Sequence, residues 1–263
     1  MNEIDGFLNS RKKYIGFYGC PPEPILRHWQ KKTGFELLDL DVDFGAEQTE
    51  TVPDSFCRVI DTIINNALAL KNRLEAVICS TGMEKCDSGR FAAYLLKDMG
   101  LKNVVLTVNE KSRVKRDLLL CKAEYPLKKR VVRIMEIIKN PLSSQEKKLF
   151  KSLECKPTHG FWGTPPQPID VLKLFPDTTH IFGWTRCVES GNPADLEMEA
   201  FAARKIPTVF FSQRFCNKAQ LAKYLADKYG GMYIDSHDRI DSSIEAKIIR
   251  SSSGNWKFNN SNA

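Results

Sequence analysis

The chain has 263 residues, 42% hydrophobic and 27% charged, with a formal net charge of +7. That is enough to bury one large or two small α/β cores without staples, which excludes disordered, collagen-like and low-complexity classes. No stretch approaches ~20 apolar residues without a charge, and Met1-Asn2-Glu3-Ile4-Asp5 lacks the basic start and apolar centre of a secretory signal, so a cytoplasmic protein is expected.

In chain order, residues 14–19 form a short apolar run that predicts a strand. Residues 22–33 predict a helix with prolines in its first turn, where a missing N–H costs least. A strand is expected over 35–41. A long helix follows over 53–73, with Phe56, Val59, Ile60, Ile63, Ile64 and Ala67 in helical periodicity. A strand over 75–80, a helix over 86–99 ended by Gly100, and a strand over 103–108 complete a β-α-β-α-β-α-β unit.

Residues 111–154 read as two or three helices broken at Pro126 and Pro141. The charge concentrates here: Lys111, Arg113, Lys115, Arg116, Lys122, Lys128, Lys129, Arg130 and Arg133 stand against Asp117 and Glu124, a net +7. A nucleic-acid surface usually interleaves aromatics with its basic residues. Tyr125 is the only one between Lys111 and Arg133, so a solvated helical connector is favoured over a nucleic-acid interface, with an anionic cofactor tail resting on it still open.

The second half repeats the first. Gly160-Phe161-Trp162-Gly163-Thr164-Pro165-Pro166-Gln167-Pro168-Ile169 aligns with Gly16-Phe17-Tyr18-Gly19-Cys20-Pro21-Pro22-Glu23-Pro24-Ile25, with seven of ten positions identical and the copies 144 residues apart. Strands over 158–163, 179–185, 207–212 and 232–235 alternate with helices over 168–175, 193–205 and 217–229 in the same order. Alternation of this kind argues for parallel sheets with right-handed crossovers. The expected fold is α/β: two pseudo-symmetric Rossmann-like halves, 1–110 and 157–250, joined by a basic helical connector over 111–156 and followed by a polar tail over 251–263. One continuous doubly wound sheet is the alternative. Either way, ligands are expected beyond the carboxyl ends of the strands.

Eight cysteines in a reducing compartment are thiols or metal ligands sooner than disulfides, and none is spaced Cys-x-x-Cys. Five fall at carboxyl-edge loops: Cys20, Cys79, Cys86, Cys187 and Cys216. They are candidate ligands for an iron–sulfur cluster or other thiolate-bound metal, with a reactive thiol and plain buried cysteine as the other readings. Cys57 and Cys121 fall on helices and Cys155 in the linker.

The repeated glycine turns offer Tyr18, Gly19, Trp162 and Gly163 to a flat or anionic ligand, although neither turn is a dinucleotide loop or a P-loop. The 80–90 loop adds Thr81, Gly82 and Arg90 as anion contacts, with Asp87 or Ser88 as a plain helix cap the alternative. Arg186 opens a polar loop that leads to Glu197 and Glu199. These glutamates are two apart on a helix, so only one can face the strand ends. A Ser/Gly loop, an acidic helix and a following strand loosely resemble nucleoside deoxyribosyltransferase and TIR-like folds over about 25 residues, which implies a catalytic glutamate. Of the histidines, His159 and His180 lie near strand starts and read as structural, His28 is on a helix, and His237 follows the last strand within reach of the site.

Two linked Rossmann-like lobes with cysteines at a cleft also resemble, in architecture, nitrogenase-component-like and dehydratase-like cluster proteins. Three functions remain open. One is a cofactor- or metal-centre-binding protein of anaerobic metabolism with a small anionic or ring-containing ligand in the cleft between its halves. The second is a nucleotide- or nucleoside-processing enzyme using Glu197 or Glu199. The third is a non-catalytic small-molecule binding module.

Overall fold

The structure, a computed structural model, describes residues 3–49, 57–82, 85–108, 116–166, 168–192, 195–213, 215–235 and 241–252. The chain divides into two compact units, Met1–Lys111 and Ser112–Ala263.

The first unit contains α1 (Glu3–Asn9), β1 (Tyr14–Tyr18), α2 (Glu23–Thr33), β2 (Glu36–Asp39), α3 (Arg58–Ala69), β3 (Leu74–Ser80), α4 (Asp87–Asp98) and β4 (Val104–Thr107). Its sheet is all parallel in the order β2-β1-β3-β4. Parallel strands covered on both faces bury nearly every side chain, and all five residues of β1 are buried. The apolar stripe of α3 packs Ile60, Ile63, Ile64 and Ala67 into the core, each large side chain contributing ~1.5–3 kcal/mol by burial. Phe56, expected on that stripe, lies outside the described residues.

The second unit opens with a 3₁₀ turn (Leu120–Lys122), α5 (Leu127–Glu136) and α6 (Ser144–Ser152). Then come β5 (His159–Gly163), a 3₁₀ helix (Ile169–Leu174), β6 (Thr179–Phe182), α7 (Trp184–Ser190), α8 (Leu196–Glu199), β7 (Thr208–Ser212), α9 (Lys218–Tyr229), β8 (Met232–Asp235) and α10 (Ser242–Ser252). The sheet order is β6-β5-β7-β8, again all parallel. Each half therefore builds the same 2-1-3-4 sheet, as the repeat implies. Among the described residues no helix is long and apolar enough to cross a membrane.

Three local expectations need correction. The helix expected over 168–175 is a six-residue 3₁₀ helix, because Phe175 precedes Pro176 and is held extended at ψ 145°. The strand expected over 179–185 stops at Phe182, where Gly183 turns at φ +70° and α7 begins. The acidic helix expected over 193–205 is a four-residue helix capped by Asp195, whose carboxylate accepts from Met198 N; Pro193 and Ala194 lie outside the described residues.

The helical segment between the repeats is not simply solvated. Leu120, Cys121, Leu127, Arg130, Val131 and Ile134 are buried. Arg130 is 0% exposed and donates to the carbonyls of Tyr125 (2.6 Å), Leu120 (3.0 Å), Asp177 (3.0 Å) and Thr179 (2.7 Å). Burial pushes its guanidinium down to about 10, still charged at neutral pH. Glu189 holds the same segment from the other side, accepting from Leu120 N (2.6 Å) and Cys121 N (2.8 Å). Lys111, Arg113 and Lys115 of the basic run, the 253–263 part of the tail and His237 lie outside the described residues.

Candidate functional site

In a sheet of this order β2 and β3 flank β1 on opposite sides, so the switch point at which such folds hold ligands falls at the carboxyl ends of β1 and β3. In the first unit that place is occupied by Gly19, Ser80 and the loop after β3. Gly19 turns at φ +71°, and a Cβ there would lie 2.4 Å from Lys85 Nζ and 3.0 Å from Ser80 Cβ. Only glycine allows this turn with a lysine laid across it.

Asp41, two residues past β2, completes the group. Its Oδ2 accepts from Gly19 N at 3.0 Å. The loop that carries it is fixed on every side. Asn66 Nδ2 on α3 donates to Leu40 O (3.1 Å) and Val42 O (2.6 Å), bracketing Asp41. Asp41 N donates to Asp39 Oδ1, and Leu40 N donates to Phe17 O.

Two polar atoms here are sealed from solvent with no hydrogen-bond partner: Asp41 Oδ1 and Ser80 Oγ. Asp41 keeps some surface elsewhere, but Oδ1 has none. Burial pushes its carboxyl up, while the Lys85 charge and the Gly19 hydrogen bond pull against it. Buried polar groups are nearly always paired, so two orphans at a strand-end crevice require an explanation.

The five expected cysteine ligands fall in both units. Cys20, Cys79 and Cys86 belong to the first unit, Cys187 and Cys216 to the second. Cys79 is fully buried and its Sγ donates to Val77 O; Cys187 is fully buried and its Sγ donates to Asp195 O. Burial pushes both thiols up to about 12, which disfavours the thiolate that a metal requires. Cys86 is exposed. Among the described residues no three His, Cys, Asp or Glu side chains are grouped to hold a metal ion, so the donor set does not fit a cluster there. Cys57, expected within a helix, is instead the residue before α3, near Cys86 and Asp41.

The aromatic residues of the two repeats are both 0% exposed. Tyr18 OH donates to Gly89 O (2.8 Å) and Trp162 Nε1 to Glu199 O (2.7 Å). Rings in that position pack into the core and present no face to a ligand. Thr81 is tied to Thr107 O through both its amide and its hydroxyl. Gly82 is buried and closes the tight turn to Lys85, accepting from Lys85 N. Arg90 pairs with Asp87 on the exposed side of α4.

In the second unit, Gly163 turns at φ +130° where a Cβ would meet Phe211 O at 2.0 Å, and its carbonyl accepts from Thr185 Oγ1 at 2.7 Å. Glu199 is buried and ion-paired with Lys218 at the start of α9, whereas Glu197 is exposed. Cys216 is half-buried. Arg186, on α7, lies over the rings of Phe182 and Phe201.

The first unit also has a cavity of about 320 Å³ at the opposite, amino edge, lined by Lys13, Lys71, Lys102 and Glu75 among others. Its polar groups are largely engaged: Lys13 pairs with Glu75 and Lys71 donates to Met99 O. The orphaned atoms lie at the carboxyl edge.

Sequence reasoning missed Asp41, Ser80, Lys85 and Asn66. The acidic run Asp39-Leu40-Asp41-Val42-Asp43 directly after a strand was the available pointer. In comparisons with known protein families, curated proteins and solved structures, nothing matches the chain.

Proposed function

We propose that this chain binds a small polar ligand at the carboxyl ends of β1 and β3 of its first unit. The ligand carries an anionic group for Lys85 and a hydroxyl or amino donor for Asp41, with Ser80 able to donate or accept. The observation that carries this reading is the pair of sealed, partnerless atoms, Asp41 Oδ1 and Ser80 Oγ, beside the Lys85 ammonium. Such atoms cost stability unless something pairs with them, and the crevice of a doubly wound sheet is where ligands sit.

The other readings draw less support. A thiolate-held metal or iron–sulfur centre needs grouped, ionisable thiols; among the described residues none are so grouped, and burial holds the Cys79 and Cys187 thiols up at about 12. A glutamate-based nucleoside enzyme needs an available carboxylate, whereas Glu199 is buried against Lys218 and Glu197 projects from a four-residue helix.

The test is a thermal-shift panel on the full chain with sugar phosphates, nucleoside monophosphates, hydroxy acids and amino acids. A ligand present at 100 times its Kd stabilises by about 2.7 kcal/mol. The expected result is a shift with at least one class that is lost in both Asp41→Asn and Lys85→Met. A shift that survives both substitutions, or no shift from any class, refutes the site.

A further inference from the structure

We infer that a second, separate site in the second unit, built around Arg186 beside the edge strand β6, binds a small apolar carboxylate. A cavity of about 250 Å³ opens here, lined by Pro157, Ile181, Phe182, Phe201 and Ala203 with Arg186, His180, Cys121 and Lys122. The guanidinium of Arg186 lies over two rings, 5.1 Å from the Phe201 centroid and 5.9 Å from that of Phe182. A guanidinium held over aromatic rings gains cation–π attraction while its N–H donors remain able to meet an acceptor.

Those donors are unused. Arg186 Nε is sealed from solvent and has no hydrogen-bond partner. Two acids close in sequence are committed elsewhere. Glu189, three residues on, accepts the Leu120 and Cys121 amides with its two oxygens, and Glu199 pairs with Lys218. Lys122 is engaged by Glu154 at 3.3 Å, and His180 Nε2 is bonded to Cys155 O at 3.0 Å. Arg186 is thus the uncommitted positive charge among the described residues that line the cavity.

The walls set the rest of the ligand. A half-buried guanidinium with an unpartnered donor calls for a carboxylate, the acceptor that guanidinium groups bind best. Phe182, Ile181, Pro157 and Ala203 call for an apolar body. The volume equals the liquid share of about eight water molecules, which suits a small aromatic or branched-chain acid and excludes a dinucleotide. The pocket differs from the crevice of the first unit in residues and in ligand chemistry, so each can fail without the other.

The experiment titrates the full-length, amide-labelled protein with phenylacetate and, in parallel, with the neutral phenylacetamide. Phenylacetate is expected to shift the amides of Ile181, Phe182 and Ala203 saturably. Phenylacetamide should bind at least about tenfold more weakly, as expected when a charge-assisted bond is replaced by a neutral one. Arg186→Gln should lose a comparable factor, and Phe201→Ala, at a half-exposed ring, should weaken binding without unfolding the unit. The inference is overturned if acid and amide bind equally, if shifts appear only away from β6, or if no saturation is reached by about 10 mM. Should Arg186→Gln fail to fold, the acid–amide comparison on the unaltered protein decides alone.

Discussion

Asp41→Asn is the most informative substitution, because it separates the proposed binding role of Asp41 from its effect on stability. Asparagine keeps an oxygen for the Gly19 amide and removes the buried charge. A carboxylate taken out of water costs several kcal/mol. Against that stand roughly 1 kcal/mol for a charge-assisted over a neutral hydrogen bond and about 1–2 kcal/mol for the attraction of the half-exposed Lys85. The balance leaves the variant more stable by about 1–2 kcal/mol at neutral pH. Because burial raises the folded-state pKa of Asp41 above its ordinary 3.8, the folded protein holds that proton longer than the unfolded chain does. The stability of the unaltered protein relative to the variant is therefore greatest below pH 3.8 and declines as pH rises through the folded-state pKa. Hydrogen exchange of the β1 and β3 amides across pH 4–7 reports the first unit alone. A variant less stable at pH 7, or a gain that does not grow with pH, would refute the claim that Asp41 is a charge retained at a cost in stability.

Three further outcomes follow from single residues. Arg130→Met strips four carbonyls of one buried donor and should destabilise the second unit by about 3–5 kcal/mol in urea unfolding, whereas Lys129→Ala, at an exposed neighbour, should stay within about 1 kcal/mol; equal effects would dismiss Arg130 as the pin. Alkylation of the native protein at pH 8 should modify the exposed Cys86 first and leave Cys79 and Cys187, with thiols near 12, until unfolding; early labelling of either buried thiol, read by peptide mass, contradicts the placement. Glu146 is held down at about 2, chiefly by its hydrogen bond from Arg133 with help from the Ser143 amide. Its contribution is present above its ordinary 4.5 and lost as pH falls toward 2, so Glu146→Gln should cost about 1 kcal/mol at pH 7, after discounting for its partial exposure, and nothing near pH 2.

The sheet was legible because its signals are local and redundant. Apolar runs, proline-started helices and a second copy of the glycine turn each pointed to the same alternation of strand and helix. The errors fell where one residue overrides a pattern: Pro176 limiting a helix to six residues, Gly183 cutting a strand, Asp195 capping a helix of four. The site was less legible for a different reason. Asp41 follows β2, whereas Ser80 ends β3 and Lys85 lies in the loop after it, and nothing in their spacing announces that Gly19 will bring them together. Arg130 was misread because a basic residue in a basic run looks solvated until its four carbonyl partners are in view.

The repeat itself argues about where function lies. With β1 and β5 superimposed by register, Phe17 faces Asp39 and Phe161 faces Ile181, so Asp41 in the first unit corresponds to Gly183 in the second. Across the other side, Tyr18 faces Cys79 and Trp162 faces Phe210, so Ser80 corresponds to Phe211. The two residues that carry orphaned polar atoms in one half are a glycine and a phenylalanine in the other. Gly183 sits so close to the Gly163 backbone that a Cβ would approach its nitrogen to 2.8 Å, leaving no room for a carboxylate. The shared Gly-Phe-aromatic-Gly turn, with its buried rings, is therefore a device for starting the sheet. The copies differ at the positions proposed to meet a ligand: the first unit has Asp41 and Ser80 there, and the second has Gly183 and Phe211.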